Sequence, residues 1–153
     1  PPPGAPPRGM RLARGGSAHA DILYPTSDVA SVKDTNSGSI VVRVVYGNTS
    51  FMLTGDAPVS VEYEILRGDS VVASTVLKAG HHGSKTSSSE EWVAAVAPQY
   101  VIFSRGCQNR YGHPAEEVVN RLIKYKIPTL DTCEDGSITF RSDGTTLRPP
   151  SSR

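Results

Sequence analysis

Gly80-His81-His82-Gly83-Ser84 directly follows the apolar run Ser74-Thr-Val-Leu-Lys-Ala79, and this junction decides how the chain is interpreted. The apolar run predicts a buried strand, and two histidines between glycines at its end suit metal binding better than packing. Glycine lets the backbone approach an ion closely, and neutral imidazole is the commonest side-chain metal ligand. Thr54-Gly55-Asp56 ends another apolar run in the same way. A carboxylate and a histidine at the ends of neighbouring strands predict half of a hydrolytic metal site.

The size and charge of the chain exclude several classes of protein. Its 153 residues fit one domain or a fragment of a larger one. Sixteen basic and fifteen acidic residues give a net charge of +1, so no global field recruits nucleic acid. No apolar run is long enough for a membrane helix, and no signal-peptide pattern opens the chain. The chain begins with Pro rather than Met, so we expect an upstream portion to be missing.

The composition divides the chain into three parts. Residues 1–19 begin with a segment rich in Pro, Gly and Arg that has no apolar period, and we expect them to be disordered. Residues 20–147 form the predicted domain, and residues 148–153 form a tail that we expect to be frayed. Strands and helices alternate in the domain, which predicts a mixed α/β layer. The predicted strands are 20–24, 40–46, 49–53, 74–79, 100–104, 129–130, 137–140 and 145–147, and the predicted helices are 59–66, 87–97 and 114–126.

Three loops carry the candidate site. The loops with Asp56, with His81 and His82, and with His113 each follow an apolar strand and precede a predicted helix. Binding groups gather at such strand ends in layered α/β folds. Each residue also has a structural interpretation, because Asp56 and His113 are both placed to cap a following helix and Ser84 to cap a turn.

Cys107 and Cys133 are the two cysteines of the chain. Their spacing does not match the paired pattern of a zinc knuckle. Two free thiols, a disulfide between two loops, and metal or catalytic use all remain open.

These motifs, taken in order, resemble metallo-β-lactamase-fold hydrolases. The most similar members are the soluble hydrolase domains of the DNA-uptake competence channel (ComEC) family and their free-standing relatives. The resemblance covers about residues 20–147 and rests on the motifs Asn36…Ser39-Ile-Val, Tyr46-Gly-Asn-Thr-Ser-Phe-Met-Leu-Thr-Gly-Asp56, Leu77-Lys-Ala-Gly-His-His-Gly-Ser84, Asn109-Arg-Tyr-Gly-His-Pro114 and Asp135-Gly136. It implies a four-layer αββα sandwich made of two similar halves, with two metal ions, usually zinc, at one edge of the sheets.

The resemblance also implies roles for individual residues. Asp56 matches the metal-bridging aspartate, His82 matches a ligand of the second metal, and His81 supports the metal site beside it. His113 matches a residue that contacts the substrate or leaving group, which makes Asp56 and His113 the candidate catalytic residues. The candidate substrate-binding residues are His113, Asn109, Arg110 and Ser84.

The chain departs from the family in its first half. The family's His-x-His-x-Asp-His cluster is absent, and His19 is the only histidine before Asp56. The chain therefore resembles the second half of the sandwich, and we expect a missing N-terminal half or a dimer. The expected function is that of a metal-dependent phosphodiesterase or nuclease, incomplete as an isolated chain. The alternatives are a non-catalytic DNA- or protein-binding remnant, and a hydrolase of another ester, an amide or a thioester. The resemblance also allows the chain to be a soluble domain of a bacterial membrane protein, on either side of the membrane.

Overall fold

The computed structural model describes residues 10–13, 16 and 18–150. The disorder predicted for residues 1–9, 14, 15 and 17 and the fraying predicted for 151–153 lie outside the described residues. Among the described residues, no helix combines the length and apolar character needed to cross a bilayer.

A seven-stranded sheet with the strand order β1-β2-β3-β4-β5-β6-β7 forms the centre of the fold. The first four strands pair antiparallel, whereas β4 to β7 pair parallel. The seven strands are β1 (Arg11–Ala13), β2 (Ala18–Tyr24), β3 (Val41–Tyr46), β4 (Thr49–Leu53), β5 (Val76–Lys78), β6 (Tyr100–Phe103) and β7 (Thr129–Asp131). A separate two-stranded sheet pairs β8 (Arg141–Ser142) with β9 (Leu147–Arg148).

Each parallel connection contains a helix, as a crossover between parallel strands requires. The described residues form three such helices: α1 (Val59–Leu66), α2 (Glu90–Val96) and α3 (Glu116–Lys124). Ser89 caps α2 by accepting a hydrogen bond from the Trp92 amide at 3.2 Å. The mixed α/β prediction is confirmed, as are the β3–β4 hairpin and the bounds of α1.

One face of the sheet packs against all three helices, and we call it the helix face. Met52, Leu77 and Val101 lie side by side across β4, β5 and β6 on this face, and all three are buried. They share one apolar core with residues of every helix, including Trp92 of α2 and Leu122 of α3.

The opposite face is also apolar, and we call it the open face. A row of aligned residues crosses six strands on this face: Leu12, Ala20, Val44, Phe51, Val76 and Tyr100. The Phe140 ring lies 6.2 Å from that of Phe51 and 5.5 Å from that of Tyr100, and so covers part of the row. The described residues thus form one sheet with helices on a single face, and they contain no second large sheet. The four-layer sandwich remains an expectation.

Several predicted boundaries were wrong. No strand was predicted before residue 20, whereas β1 pairs with β2, which begins at Ala18. Helix α3 starts at Glu116 rather than at Pro114, because the Ala115 amide donates to the Gly83 carbonyl at 2.9 Å and the backbone of Ala115 is extended. The last hairpin pairs β8 with β9, so its first strand lies after the predicted 137–140 and its second shares only Leu147 with the predicted 145–147. Its strand β9 reaches Arg148, inside the tail predicted to be frayed.

Candidate functional site

The parallel order of β4, β5 and β6 brings the three candidate loops to one edge of the sheet. Because the carboxyl ends of parallel strands lie at the same edge, Asp56, His82 and Ser104 leave the sheet close together. The Asp56 amide donates to the Ser39 hydroxyl at 3.2 Å, which fixes the turn after β4. This edge is the candidate functional site.

Asp56 and His82 face each other at this edge. The Asp56 Oδ1 and His82 Nε2 atoms are 3.7 Å apart, and the two side chains remain 39% and 46% exposed. On the other side of the ring, His82 Nδ1 contacts the Ser104 carbonyl oxygen. A carbonyl oxygen can only accept a hydrogen bond, so Nδ1 carries the proton of the neutral ring. In the neutral form of the ring, Nε2 then has its lone pair on the side of Asp56, the arrangement that a metal-ligating histidine needs.

The His81 ring lies near those of both His82 and His113. Its ring centroid lies 6.2 Å from that of His82 and 5.7 Å from that of His113. Its amide donates to the Gly55 carbonyl at 3.1 Å, which ties the two loops together through the backbone. His81 thus lies between the Asp56–His82 pair and the loop that carries His113.

The backbone of the His-His segment is held in an unusual conformation. His81 and His82 have φ values of 46° and 57°, in the left-handed region that non-glycine residues rarely adopt. Gly83 follows with a φ of +88°, and a Cβ atom there would lie 2.8 Å from both the Phe103 ring and Pro114. Glycine is therefore required at position 83 for packing as well as for conformation.

Ser84 lies in the turn after this segment and is buried. Its hydroxyl is 3.0 Å from that of Thr86 and accepts a hydrogen bond from the Thr86 amide at 3.3 Å. The structure places this side chain inside the turn and not in the cleft described next.

A cleft of about 420 Å³ opens beside His82. It brings together three of the predicted site residues, His82, Asn109 and His113, and leaves out Arg110, whose guanidinium lies over the Tyr111 ring at 5.3 Å from its centroid. The remaining lining residues are Ser104, Arg105, Gly106, Tyr111 and Thr132.

His113 lines this cleft and is held by contacts within its own loop. Its amide donates to Asn109 Oδ1 at 2.8 Å, and Asn109 Nδ2 donates to its carbonyl at 2.9 Å. The Tyr111 ring stacks on the imidazole with centroids 5.8 Å apart. Burial lowers the pKa of His113, and the neighbouring His81 and His82 lower it further. His113 is consequently neutral at pH 7, and its Nδ1 atom is buried without a hydrogen-bond partner in the structure.

The sequence reasoning missed several residues of this region. Arg105 and Thr132 line the cleft, and Arg105 Nε donates to Asp131 Oδ2 at 2.6 Å. Lys78 was treated as part of an apolar strand, yet its ammonium donates to the Gly55 and Ala79 carbonyls at 3.1 Å each. Burial lowers the pKa of Lys78, and nearby Asp56 opposes this change. A charged residue at the end of an apolar strand was the signal that could have identified it.

The cysteines form a bond that sequence alone left open. Cys107, in the loop after β6, is disulfide-bonded to Cys133, in the turn after β7. Of the alternatives left open by the sequence, the structure has the disulfide and not two free thiols.

The metal-binding groups of the described residues fall short of a complete site. Catalytic zinc normally takes three protein ligands and a water. Within residues 10–13, 16 and 18–150, no group of three His, Cys, Asp or Glu side chains is placed to hold one ion. Asp56 and His82 supply two facing donors, so a complete zinc site does not fit the described chain.

The sequence of this chain is similar to those of several known bacterial proteins. No protein-family model matches it. It is 38% identical to ComE operon protein 3 of Bacillus subtilis over 106 residues, 69% of this chain and 14% of that protein. It is 40% identical to Competence protein ComA of Neisseria gonorrhoeae over 108 residues, 70% of this chain and 16% of that protein. With Recombination protein 2 of Haemophilus influenzae it shares 38% identity over 120 residues, 78% of this chain and 15% of that protein.

The chain is thus homologous to competence-related proteins. It spans only about one-seventh of the length of these relatives. It corresponds to one segment of much longer proteins.

Proposed function

We propose that this chain contributes half of the site of a metal-dependent phosphodiesterase or nuclease with a metallo-β-lactamase fold that serves competence. The observation that carries this proposal is the convergence of Asp56 and His82, 3.7 Å apart, at the carboxyl edge of parallel strands. The cleft with His113 and Asn109 opens directly beside them. Two facing donors and an adjoining substrate-sized cleft are what a hydrolytic half-site requires.

The names of the relatives support the biological part of this proposal. One of them is called a competence protein, one a protein of the ComE operon, and one a recombination protein. We assign the chain to the uptake or processing of DNA on this basis, with a phosphodiester as the substrate.

The chemistry of the cleft fits a phosphodiester bound by hydrogen bonds. The charge of Arg105 is balanced by Asp131 at 2.6 Å and Glu134 at 3.8 Å, and that of Arg110 lies over Tyr111 outside the cleft lining. His113 is neutral at pH 7 because burial lowers its pKa. The imidazole of His113 therefore recognises a phosphate oxygen or the leaving group by donating a hydrogen bond. Asn109 positions His113 for this role, because both hydrogens of its Nδ2 are donated to the Gly106 and His113 carbonyls.

Zinc is the cofactor that this function implies, and the missing ligands must come from outside the described residues. A further segment of the natural protein or a partner chain would supply them. The contribution of this chain is to hold two donors in place. The Ser104 carbonyl orients the His82 ring, and Ser39 anchors the turn of Asp56.

A second candidate function is a non-catalytic remnant that binds DNA or protein. The shortage of metal ligands among the described residues favours it. The two candidates differ in whether Asp56 and His82 bind a cation together.

Zinc titration by calorimetry on the full chain distinguishes these candidates. We expect weak, partial binding of at most one Zn²⁺ per chain, because only two donors face each other, and we expect Asp56→Asn and His82→Gln each to weaken it about tenfold or more by removing one of them. His19→Gln is the matched control, because His19 lies on β2 beside Asp21. No detectable Zn²⁺ binding, or equal affinity in all variants, would favour the remnant. With added zinc, hydrolysis of bis-p-nitrophenyl phosphate but not of p-nitrophenyl acetate or nitrocefin separates a phosphodiesterase from a hydrolase of other esters or amides.

A further inference from the structure

Two loops together supply most of the lining of the cleft. One is the loop of residues 104–113 after β6, which carries Asn109, Tyr111 and His113, and the other is the turn after β7, which contributes Thr132. Any change in the spacing of these loops changes the shape of the cleft.

Hydrogen bonds join the loops at the sheet edge. The Arg105 amide donates to Thr132 Oγ1 at 2.8 Å, and the Thr132 amide donates to the Phe103 carbonyl at 3.0 Å. The Cys133 amide is itself bound by Asp131 Oδ1 at 2.8 Å. These hydrogen bonds hold the turn after β7 in place, so it can anchor the longer loop.

After Arg105, the longer loop is joined to the turn after β7 by a disulfide. Within the part of the chain that the structure describes, the hydrogen bonds of residues 108–112 remain inside the loop, mainly through Asn109 to Gly106 and His113. The covalent bond from Cys107 to Cys133 connects this segment to the fixed turn. Cys107 is exposed, so no burial replaces the bond if it is broken.

We propose that the Cys107–Cys133 disulfide is a positioning bond that keeps the cleft in its anion-binding form, and that reduction weakens the cleft without unfolding the domain. In the reduction a dithiol transfers two electrons and two protons, the S–S bond breaks into two thiols, and the dithiol becomes a disulfide. The phosphate-type ligand rests on the function proposed above, whereas the ordering of the loop does not. Because disulfides persist in oxidising compartments, the cleft binds its anion there and binds it more weakly in a reducing compartment.

The first test measures the loop itself and needs no ligand. Hydrogen exchange is followed by NMR on the full chain, oxidised and then reduced by dithiothreitol, with thiols counted after denaturation. We expect faster exchange of amides in residues 106–113, including that of His113, and unchanged exchange in β4, β5 and β6. Unchanged exchange in the fully reduced chain, or two free thiols in protein prepared under oxidising conditions, would overturn the proposal.

The second test measures binding with inorganic phosphate as the probe. Reduction should weaken phosphate binding about tenfold, the loss expected when two or three loop side chains must be ordered on binding, and reoxidation should restore it. The double variant Cys107→Ser/Cys133→Ser should behave like the reduced chain and should not respond to dithiothreitol. Equal affinity before and after reduction would contradict the proposal. If neither form binds phosphate, the proposed ligand is wrong, and the exchange data alone decide whether the disulfide positions the loop.

Discussion

The two faces of the seven-stranded sheet are made by the same strands but are covered very differently. On the helix face Met52 and Leu77 are completely buried, whereas on the open face Leu12 and Leu53 are 52% and 43% exposed. Sheets with parallel strands are usually covered on both faces. The comparison teaches that the described residues bury the helix face fully but the open face only in part, since Val76 is buried there while Leu12 and Leu53 contact water.

The largest effect that can test this comparison is the same substitution made on both faces. Leu77→Ala on the helix face should lower the free energy of unfolding by about 3 kcal/mol, because it leaves a cavity in a fully packed core. Leu53→Ala on the open face should cost less than about 1 kcal/mol, since much of that side chain already contacts water. Urea denaturation followed by circular dichroism measures both. Equal losses for the two variants would mean that the open face is covered in solution.

Glu62 offers a second test, because it is an acidic side chain of α1 that is almost completely buried. Its carboxylate accepts hydrogen bonds from the Ser88 amide at 2.5 Å and the Ser89 amide at 2.8 Å, while Arg121 of α3 binds the Ser88 carbonyl. Glu62→Gln should lower the free energy of unfolding by about 2 kcal/mol, since an amide cannot accept both bonds. The exposed Glu64 of the same helix is the control, and Glu64→Gln should have little effect.

The raised pKa of Glu62 predicts whether folding stability rises or falls with pH. Burial raises the pKa of Glu62 above its ordinary value of 4.5, and the two amide donors and Arg121 oppose the rise. The folded state therefore binds this proton more tightly than the unfolded state does. The contribution of Glu62 to stability is fully present below pH 4.5 and is lost as the pH rises through the raised pKa. Urea denaturation between pH 4 and 8 should reveal this component in the wild type, and Glu62→Gln should remove it. An identical pH profile in both proteins would contradict the assignment.

The sequence predicted the elements whose signals are local. The β3–β4 hairpin and α1 were predicted because each has its own apolar period and turn residues. Strand β1 was missed because it lies in a segment rich in Pro, Gly and Arg, and only its pairing with β2 makes it a strand. The start of α3 was misplaced because the bond from the Ala115 amide to Gly83 joins residues far apart in the chain.

The same distinction applies to the candidate site. The closeness of Asp56 and His82 followed from strand order, because parallel strands end at one edge. The contacts of Lys78, the place of Thr132 in the cleft and the pairing of Cys107 with Cys133 depend on how distant loops are packed. No periodicity in the sequence reports that packing.

The smallest expected effect concerns the open face itself. Exposed apolar side chains on one face of a sheet favour association, so Leu12 and Leu53 lead us to expect dimers or larger species as the concentration rises. Leu12→Lys or Leu53→Lys should weaken this association about tenfold each, because burying the exposed part of one leucine contributes about 1.4 kcal/mol.

Sedimentation equilibrium over a range of concentrations measures this association, and Ile123→Lys is the matched control. Ile123 is 66% exposed but lies on α3, away from the open face, so its substitution should leave the association unchanged. If Ile123→Lys weakened association as much as Leu53→Lys, exposed apolar area alone would be responsible. A chain that stays monomeric at every concentration would mean that Phe140 and its neighbours cover the open face well enough, and the contrast between the two faces would then be one of degree.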